Sequence, residues 1–504
     1  MKTLSDVFAA INALEKGFPV NAWRSGDIDL WPTYRFRLHS NAVDRLLQNV
    51  PAGTSGSALR RVAARVSRAL CRVPYAKLRD RRHNARVRPG ASAVFFSDGI
   101  SFVQLGDAWF DRVIDPVIQA LEKRGHRSLK LTELSEVHIP RCVPSRFIQP
   151  ALDRVKMTAT WRKPGMAIPE FAAFYETARQ SFGDLVPSWQ WLRVQAARLH
   201  ALSEWFGHIL ARSGGSHAFV NTYYSLEGLA FVQAARRRGM RSVDLQHGIQ
   251  GPYHIAYSRW GAPPACGYSN LPDEFWVWGS EEAAAIEAWH SNCATHIARI
   301  SGDFWKQRWR ADSDPLIADY LEQARALRGP GTQALVCLSW GLPEQETEKL
   351  IKAAKLCKQS TSFWWRLHPV MASRSDEFAR RLRQHGLDDT RVRQATQMPL
   401  FALLRAADLT LAHSSTTLRE AAEFGVPSVV TSDFGAEFHS ELVRSGALLH
   451  ATDAGSIAAA VQSITARKAG TGEATRVDRD CLEELLDLAF PARSLLVPPQ
   501  AAAL

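Results

Sequence analysis

Residues 403–433, LLRAADLTLAHSSTTLREAAEFGVPSVVTSD, decide the fold of this chain. Two short apolar runs in this stretch, at 409–412 and 426–430, are bounded by turn residues, as buried parallel strands are. The residues between them, 417–424, have helical character and end at Gly425, a common helix stop. The order of strand, polar turn, helix and strand predicts a βαβ unit of an open α/β sheet.

The polar turn of this unit, residues 413–416 (HSST), lies at the carboxyl end of a strand. Open α/β sheets bind ligands at that edge, and backbone N–H groups at a helix start favour an anion such as phosphate. Thr417 and Glu420 also have the S/T-x-x-E spacing of a capping box, which would explain the turn without any ligand. The turn alone leaves both interpretations open.

Composition narrows the class of protein. A chain of 504 residues is too long for one core, so two or more domains are expected. The net charge of +12 favours an anionic partner, such as a nucleotide, an acidic glycan, a phospholipid surface or nucleic acid. The seven cysteines form no C-x-x-C pair, which indicates a reducing compartment without a zinc site or a disulfide framework.

The N-terminal pattern and the lack of long apolar runs predict a cytoplasmic protein. No apolar run reaches the ~18 residues of a transmembrane helix. The first 17 residues form an amphipathic helical pattern and lack the features of a signal peptide. The expected location is therefore cytoplasmic, with a peripheral position at the inner face of the cell membrane as a further option.

Strands alternate with helices from residue 92 onward, which predicts largely parallel, doubly wound sheets. Residues 107–123 are predicted to be a helix and 140–190 to be irregular. A run of basic residues at 60–88 is either a solvated helix face or a docking surface for an anionic membrane or glycan carrier. The predicted divisions are an N-terminal extension at 1–90, basic and partly helical, a first Rossmann-like domain at 91–311, a linker at 312–331, a second Rossmann-like domain at 332–468 and a tail at 469–504.

Candidate functional residues fall where the predicted strands end. Two doubly wound domains in tandem would bring two sets of strand carboxyl ends across one cleft. Random polar residues would also fall at the amino ends, so this shared placement indicates a site. The candidates at such ends include Asp98, Glu227, His247, Gly248 and Asp303 in the first half and Ser339, Gly341, Arg366, His368 and Pro369 in the second.

Three segments together resemble the GT-B glycosyltransferases that build bacterial surface polysaccharides. They are LQHG at 245–248, LHP at 367–369 and HSSTTLREAAEFGVP at 413–427. The resemblance extends to sialyltransferases and polysialyltransferases, to capsule Kdo-transferases and to the glycerophosphotransferases that use CDP-glycerol, and it covers roughly residues 210–450. It implies a GT-B fold in which the first domain binds the acceptor and the second binds a nucleotide-sugar donor.

The resemblance also implies roles for residues on the donor side. His368 would bond a donor phosphate with the charge of Arg366 nearby, and Glu420 would reach the ribose hydroxyls. Preorganised donors of this kind stabilise the charge on a leaving phosphate, so neither a metal nor another cofactor is expected. The remaining donor-binding candidates are Ser339, Gly341, Pro369, His413, Ser414, Ser415 and Thr416.

The acceptor side needs a base. His247 is the first choice because it ends a strand and an imidazole of near-neutral pKa can take a hydroxyl proton. Glu227 is the reserve, and Asp98 is the third choice because Ser97-Asp98-Gly99 has one carboxylate where the resembled enzymes have two. Nearby candidates that would line the acceptor side or order the loop are Gly248, Tyr253 and His254.

The function expected from the sequence is transfer of a sugar from a CMP- or UDP-linked donor to a growing bacterial surface polysaccharide or its lipid carrier. The alternatives are a sugar-nucleotide epimerase of the same fold and a CDP-alcohol phosphotransferase. The basic run at 60–88 contains no recognised nucleic-acid module, so nucleic acid is not an expected partner. The expected partners are the donor, a glycan or lipid-linked glycan acceptor and an anionic membrane surface.

Overall fold

The computed structural model describes residues 3–46, 90–133, 138–261, 263–290, 295–310, 314–467 and 481–490. The predicted basic run at 60–88 lies outside these residues. In chain order the strands are β1 (Arg24–Ser25), β2 (Ile28–Asp29), β3 (Ala93–Ser97), β4 (Phe102–Leu105), β5 (Ala108–Asp111), β6 (Ser128–Thr132), β7 (Arg146–Phe147), β8 (His217–Val220), β9 (Arg241–Leu245), β10 (Glu274–Val277), β11 (Ile297–Ile300), β12 (Thr332–Cys337), β13 (Thr361–Arg366), β14 (Leu409–Ala412), β15 (Ser428–Val430) and β16 (Leu448–His450).

The helices pack around two parallel sheets. In chain order the α-helices are α1 (Leu4–Gly17), α2 (Trp31–Leu46), α3 (Asp115–Lys123), α4 (Gln149–Ala159), α5 (Phe171–Phe182), α6 (Trp189–Ser213), α7 (Leu226–Arg237), α8 (Ser280–Glu287), α9 (Phe304–Arg310), α10 (Pro315–Ala326), α11 (Glu344–Cys357), α12 (Ser375–Gln384), α13 (Val392–Gln397), α14 (Leu400–Ala406), α15 (Thr417–Glu423), α16 (Asp433–Phe438), α17 (Ser440–Arg444), α18 (Ala454–Arg467) and α19 (Cys481–Ala489). Short 3-10 helices lie at Val20–Ala22, Gly183–Leu185 and Pro369–Arg374.

The first sheet has the order β11-β10-β9-β8-β3-β6-β7 among the described residues, and its strands are parallel. Every residue of β3 and β8 is buried, as expected for central strands that are covered by helices on both faces. The chain adds β6 and β7 on one side of β3 before it returns to β8 on the other side. The strand order therefore reverses between β3 and β8, and ligands bind outside such a reversal point.

The second sheet has the order β13-β12-β14-β15-β16 in the described part of the chain and is also parallel. The predicted βαβ unit is confirmed as β14, α15 and β15. Gly425 follows α15 with φ of +70°, a left-handed conformation that a glycine adopts at little cost and that ends the helix. The order reverses here between β12 and β14, so the turns after these two strands are where a ligand is expected.

Two local predictions around these sheets are wrong. Residues 107–123 are not one helix: β4 and β5 form an antiparallel hairpin that turns at Gly106, and α3 begins only at Asp115. Trp109 and Phe110 lie on opposite faces of the hairpin, as successive residues of a strand do. The prediction of a helix missed this two-residue period. Residues 140–190 contain the helices α4 and α5 in place of the predicted irregular segment.

The capping box predicted at Thr417 and Glu420 does not form. Thr417 is the first helical residue and its own N–H donates to Ser415 Oγ at 3.2 Å, whereas no side chain caps the helix from Thr416. Glu420 turns away to form an ion pair with Arg112 of the first domain. The ion pair of Glu420 with Arg112, which forms only in the tertiary structure, stands in place of the predicted capping hydrogen bond.

The predicted N-terminal extension is present as helices α1 and α2, and its described residues belong to the core of the first domain. Phe8, Trp23 and Trp31 are buried in one apolar cluster with residues of β3, β8 and α6. Arg35 and Glu15 form a fully buried ion pair at 2.8 Å inside this cluster. Residues 3–46 therefore help to hold the sheet that carries the first-domain candidates.

Two further segments connect the domains. The predicted linker at 312–331 contains α10, and its Ile317 and Leu321 are buried with Phe401 of the second domain. Helix α19 packs Leu486 and Phe490 against the first domain, at α3 and β8. The division of the chain at residues 90, 311, 331 and 468 stays a prediction.

The predicted fold class, two doubly wound Rossmann-like α/β domains of GT-B type that face each other, is confirmed. Both sheets are parallel, helices pack around them, and Arg112, directly after β5, pairs across to Glu420 in the helix after β14. Among the described helices, none has the length and apolar character needed to cross a membrane.

Candidate functional site

The two loops that carry the strongest sequence signals lie beside each other in the folded chain. Gly248 lies in the turn after β9, and Thr416 lies in the turn after β14. A Cβ atom built on Gly248 would lie 3.5 Å from Cγ2 of Thr416. The LQHG and HSSTT segments are 168 residues apart in sequence by their Gly248 and Thr416 positions, yet these two residues are neighbours in the folded chain.

Arg112, which the sequence reading missed, ties these loops together. Its Nη1 lies 3.0 Å from Glu420 Oε1, and its Nη2 donates to the backbone carbonyl of His247 at 3.5 Å. Arg112 follows β5, at the end of the hairpin that was predicted to be helix. No local pattern marks it, because both of its partners come from distant parts of the chain.

The carboxylate of Glu420 is 2% exposed and is held by Arg112. The ribose of a donor could reach this buried carboxylate only at the base of the cleft. The ribose contact of Glu420 therefore stays a prediction. Arg366 is half-buried, and its Nη1 donates to the carbonyls of Ala395 (2.7 Å) and Met398. Arg366 thus anchors the segment between α13 and α14, while its charge remains beside the predicted phosphate site.

His368 presents one ring nitrogen to the cleft side. Its Nδ1 accepts the N–H of Val370 at 3.4 Å, so the neutral ring carries its proton on Nε2. Burial lowers the pKa of His368 and the neighbouring charge of Arg366 lowers it further, which keeps the ring neutral at pH 7. A neutral imidazole with Nε2–H can donate one hydrogen bond to a phosphate oxygen. Pro369 follows it on the exposed side.

The remaining donor-side candidates surround the reversal point of the second sheet. Ser339 and Gly341 flank the exposed Trp340 in the turn after β12, and Gly341 has φ of +74°. His413 Nδ1 lies 3.2 Å from Ser414 Oγ, and Ser432 Oγ donates to the His413 carbonyl at 2.8 Å. The second sheet therefore brings both turns to one edge.

The hydroxyl groups of the 413–416 turn are ordered but accessible. Ser415 Oγ lies 3.0 Å from Thr417 Oγ1, and Ser414, Ser415 and Thr416 are each partly exposed. Below them, burial lowers the pKa of His439 to about 4, although its contact with the backbone of Ser414 and Ser415 acts in the opposite direction. Because α15 has only seven residues, hydroxyl and N–H donors are the main attraction of this turn for an anion.

His247 sits in a rigid turn. Gln246 holds that turn on both sides: its Nε2 donates to the Gly248 carbonyl at 2.7 Å and its Oε1 accepts the N–H of Trp278 at 2.6 Å. His247 Nε2 lies 3.2 Å from the Tyr224 hydroxyl. Burial lowers the pKa of His247 below its ordinary value, while the nearby Asp98 carboxylate raises it. The imidazole is therefore neutral at pH 7, the form a base requires.

The two other predicted bases are engaged in structural contacts. Asp98 accepts hydrogen bonds from Asn221 Nδ2 at 3.1 Å and from Thr222 Oγ1 at 2.7 Å, at the reversal point of the first sheet. Glu227 forms an ion pair with Lys156 of α4. Asp98 lies near His247, whereas Glu227 is paired with Lys156, and the choice of His247 as the base stays a prediction.

Glu133 is a second residue that the sequence reading missed. It follows β6, next to β3, and its N–H donates to the Ser97 carbonyl at 2.9 Å. Burial raises the pKa of Glu133 to about 8, and the nearby Glu227 acts in the same direction while Lys156 opposes both. Its position directly after a buried strand is the signal that could have placed it among the candidates.

Tyr253 and His254 make contacts within the chain that would order their loop. The Tyr253 hydroxyl lies 3.1 Å from Ser5 Oγ of α1, and its ring packs against Phe8. His254 Nδ1 accepts the N–H of Ala256 at 3.3 Å, and burial lowers the pKa of His254 to about 3. An acceptor role for these two side chains stays a prediction.

Ion pairs close the boundary beside the site. Arg419 of α15 lies 3.1 Å from Glu281 and 2.6 Å from Glu282 of α8. Lys306 of α9 lies 3.0 Å from Glu423 of α15. Since α15 also carries Glu420, this one short helix meets three segments of the first domain.

Comparison with protein-family models and with curated protein sequences gives no match. Among solved structures, the UDP-GlcNAc 2-epimerase of Methanocaldococcus jannaschii in complex with UDP-GlcNAc and UDP is 11% identical, covers 79% of this chain and 98% of its own, and has a TM-score of 0.46. The wall teichoic acid polymerase TagF (H548A) is 9% identical, with 86% and 93% coverage and a TM-score of 0.40. The Streptomyces sp. SF2575 glycosyltransferase SsfS6 is 15% identical, with 79% and 95% coverage and a TM-score of 0.33. The solved structures that this chain is similar to thus include an epimerase, a polymerase and a glycosyltransferase.

Proposed function

We propose that this chain is a glycosyltransferase that moves a sugar from a CMP- or UDP-linked donor to a hydroxyl group of a bacterial surface polysaccharide or its lipid carrier. The observation that carries the proposal is the close approach of Gly248 to Thr416, together with the ion pair of Arg112 and Glu420. It brings a neutral imidazole from one sheet edge next to a hydroxyl-rich anion site from the other. Transfer from a nucleotide-activated sugar needs these two chemistries side by side.

On the donor side, the protein would stabilise the departing nucleotide phosphate. His368 Nε2–H and the hydroxyls of Ser414 and Ser415 are hydrogen-bond donors that need little rearrangement to meet phosphate oxygens. Arg366 is half-buried near His368 and would add positive charge without leaving its own carbonyl partners. Preorganised donors in a partly dry site stabilise developing negative charge more than water does.

On the acceptor side, His247 would remove the proton of the attacking hydroxyl. The acceptor oxygen forms a bond to the anomeric carbon, the bond from that carbon to the phosphate oxygen breaks, and the nucleotide leaves with the electron pair. The acceptor hydroxyl would replace the Tyr224 hydroxyl as the partner of His247 Nε2. Asp98 raises the pKa of His247 and so strengthens the base.

The reaction is tested in two steps. A thermal-shift screen with CMP, CDP, UDP and GDP identifies the nucleotide, because a ligand that binds only the folded state raises the melting temperature. Nucleotide release from the matching donor is then measured with and without a glycan acceptor. Release that depends on the acceptor supports transfer, whereas a free altered sugar without acceptor indicates an epimerase. Incorporation of a phosphate-linked alcohol with release of CMP indicates a CDP-alcohol phosphotransferase.

Two variants test the residue assignment. His247→Ala and His368→Ala should each lower turnover by about 10²–10⁴-fold, the range for loss of a positioned acid–base or phosphate-binding group. Their thermal unfolding should stay close to that of the unaltered chain. The control is His450→Ala in β16, which removes a surface imidazole paired with Asp433 and should leave turnover unchanged. Full activity in both site variants would contradict the assignment.

A further inference from the structure

Three large apolar side chains are exposed together on the outer surface of the first domain. Trp161, directly after α4, is 85% exposed, and Met157, one turn earlier, is 67% exposed. Trp189 at the start of α6 is 43% exposed. Single exposed apolar residues are ordinary, but two indoles and a thioether on one surface indicate an interaction site.

Hydrogen bonds fix these residues on one surface. Arg193 of α6 donates from Nη1 to the carbonyl of Arg162 at 3.4 Å, which holds the segment after α4 against α6. Trp189 lies four residues before Arg193 in α6, so these two share a helical face, and Trp161 stands just beyond the end of the helix that carries Met157. The indoles therefore lie on a rigid support of two helices.

The same surface is basic. Its cationic side chains are Arg154, Arg162 and Lys163, which are exposed, and Arg193, which is half-buried; its exposed acidic side chains are Asp153 and Glu204. Arg162 and Glu204 pair at 3.1 Å, with both side chains 55% exposed, so this pair is well screened by water. Four positive against two negative charges leave a positive surface around the indoles.

We propose that this surface, defined by Met157, Trp161, Trp189, Arg162 and Lys163 and here called the α4 surface, docks onto an anionic lipid bilayer. Tryptophan is favoured at the boundary between lipid and water, where its apolar body enters the headgroup layer while its N–H stays hydrated. Lysine and arginine beside it are attracted to anionic headgroups. A nucleic acid or an acidic glycan would use the charges but would leave Met157 without an apolar partner.

The α4 surface is close to the acceptor side of the cleft. Lys156, on the inner face of α4, forms an ion pair with Glu227 in the first turn of α7, which begins at the carboxyl edge of the first sheet. Docking would place that edge near the membrane, where a lipid-linked acceptor would be found. Only this last step rests on the proposed function; the docking itself does not.

The test is co-sedimentation of the full chain with phosphatidylcholine vesicles, with and without phosphatidylglycerol, in the absence of any donor or acceptor. The chain should bind the anionic vesicles, and rising salt should weaken that binding. Lys163→Glu should weaken the partition by about fivefold for each unit of charge changed. Trp161→Ser should weaken it without altering the salt dependence, because it removes an apolar contact only.

Matched controls come from α11 of the second domain, where Leu356 is 61% exposed and Lys358 is exposed at the helix end. Leu356→Ser and Lys358→Glu make the same chemical changes and should leave vesicle binding unchanged. The proposal is overturned if the chain does not bind anionic vesicles, if it binds phosphatidylcholine alone equally well, or if the two α4-surface variants bind like the unaltered chain. Because no substrate is present, none of these results depends on the reaction.

Discussion

Arg112 shows how much of the site depends on one side chain. It bonds Glu420 of the second domain and the backbone of His247 in the first, so it sets the distance between the predicted base and the predicted phosphate site. Its positive charge also lowers the pKa of His247, whereas Asp98 raises it, although both effects are smaller than that of burial. The charges of Arg112 and Asp98 therefore shift the pKa of His247 in opposite directions.

This arrangement predicts the pH dependence of the reaction. The base must be neutral, so kcat/KM should rise with pH through the pKa of His247 and then become constant. Because burial holds that pKa below 6.5, the acidic limb should lie below pH 6.5 and pH 7 should lie on the plateau. Asp98→Asn removes the charge that raises the pKa and should move the limb to lower pH. Arg112→Gln removes a charge that lowers it and should move the limb to higher pH.

The measurement is a pH profile of kcat/KM for the three proteins with the same donor and acceptor. Shifts of the limb in opposite directions would support His247 as the titrating base. A limb that stays in place in both variants would show that another group titrates.

At the scale of elements, α19 shows how the end of the described chain supports the first domain. Leu482, Leu485 and Leu486 of this helix are buried against the sheet, while Arg124 of the segment after α3 pairs with Glu483 on its outer side. A helix that follows the second domain in sequence thus stabilises the first. The helix contributes by burying apolar surface, and the stabilising free energy is proportional to the apolar area removed from water.

A matched pair of leucines in α19 measures that contribution. Leu486 is fully buried, whereas Leu488 is 72% exposed. Leu486→Ala should lower the free energy of unfolding by about 2–4 kcal/mol because it leaves a cavity in the core. Leu488→Ala should change it by less than about 0.5 kcal/mol. Denaturant unfolding of both variants gives the comparison, and equal losses would show that α19 does not pack on the first domain as described.

At the scale of the whole molecule, the start of α1 connects the two domains. The N–H groups of Leu4 and Ser5 each donate to the carboxylate of Glu437 in α16 at 2.8 Å. A carboxylate at a helix N-terminus is also favoured by the helix dipole. Since α1 is part of the first-domain core and α16 belongs to the second domain, this contact helps to hold the cleft closed.

Glu437→Gln tests this contact. The amide keeps the shape but loses the charge and one of the two acceptor oxygens, so the contact should weaken by about 1 kcal/mol. Amide hydrogen exchange should become faster in the first turn of α1 and in α16, and the KM for the donor should rise with little change in kcat. Glu441→Gln in α17, a surface residue paired with Arg444, is the control and should change neither. Exchange rates that match the unaltered chain would show that the contact does not restrain the domains.

Much of the architecture follows from the sequence alone. The strands at 93–97 and 409–412 have their predicted bounds, because short apolar runs between turn residues allow few other structures. The parallel order of the strands then places His247, Asp98, Ser339 and the 413–416 turn at strand carboxyl ends without further information. Local pattern and the geometry of parallel sheets are enough for these statements.

Only the tertiary structure decided which of these residues meet. The partners Arg112 and Glu420 are 308 residues apart, and no local period records an ion pair over that separation. The same pair removed the predicted capping box, since a buried charge satisfied from another domain outcompetes a hydrogen bond within one turn. The sequence determined where the strands end, whereas long-range packing determined what stands opposite each end.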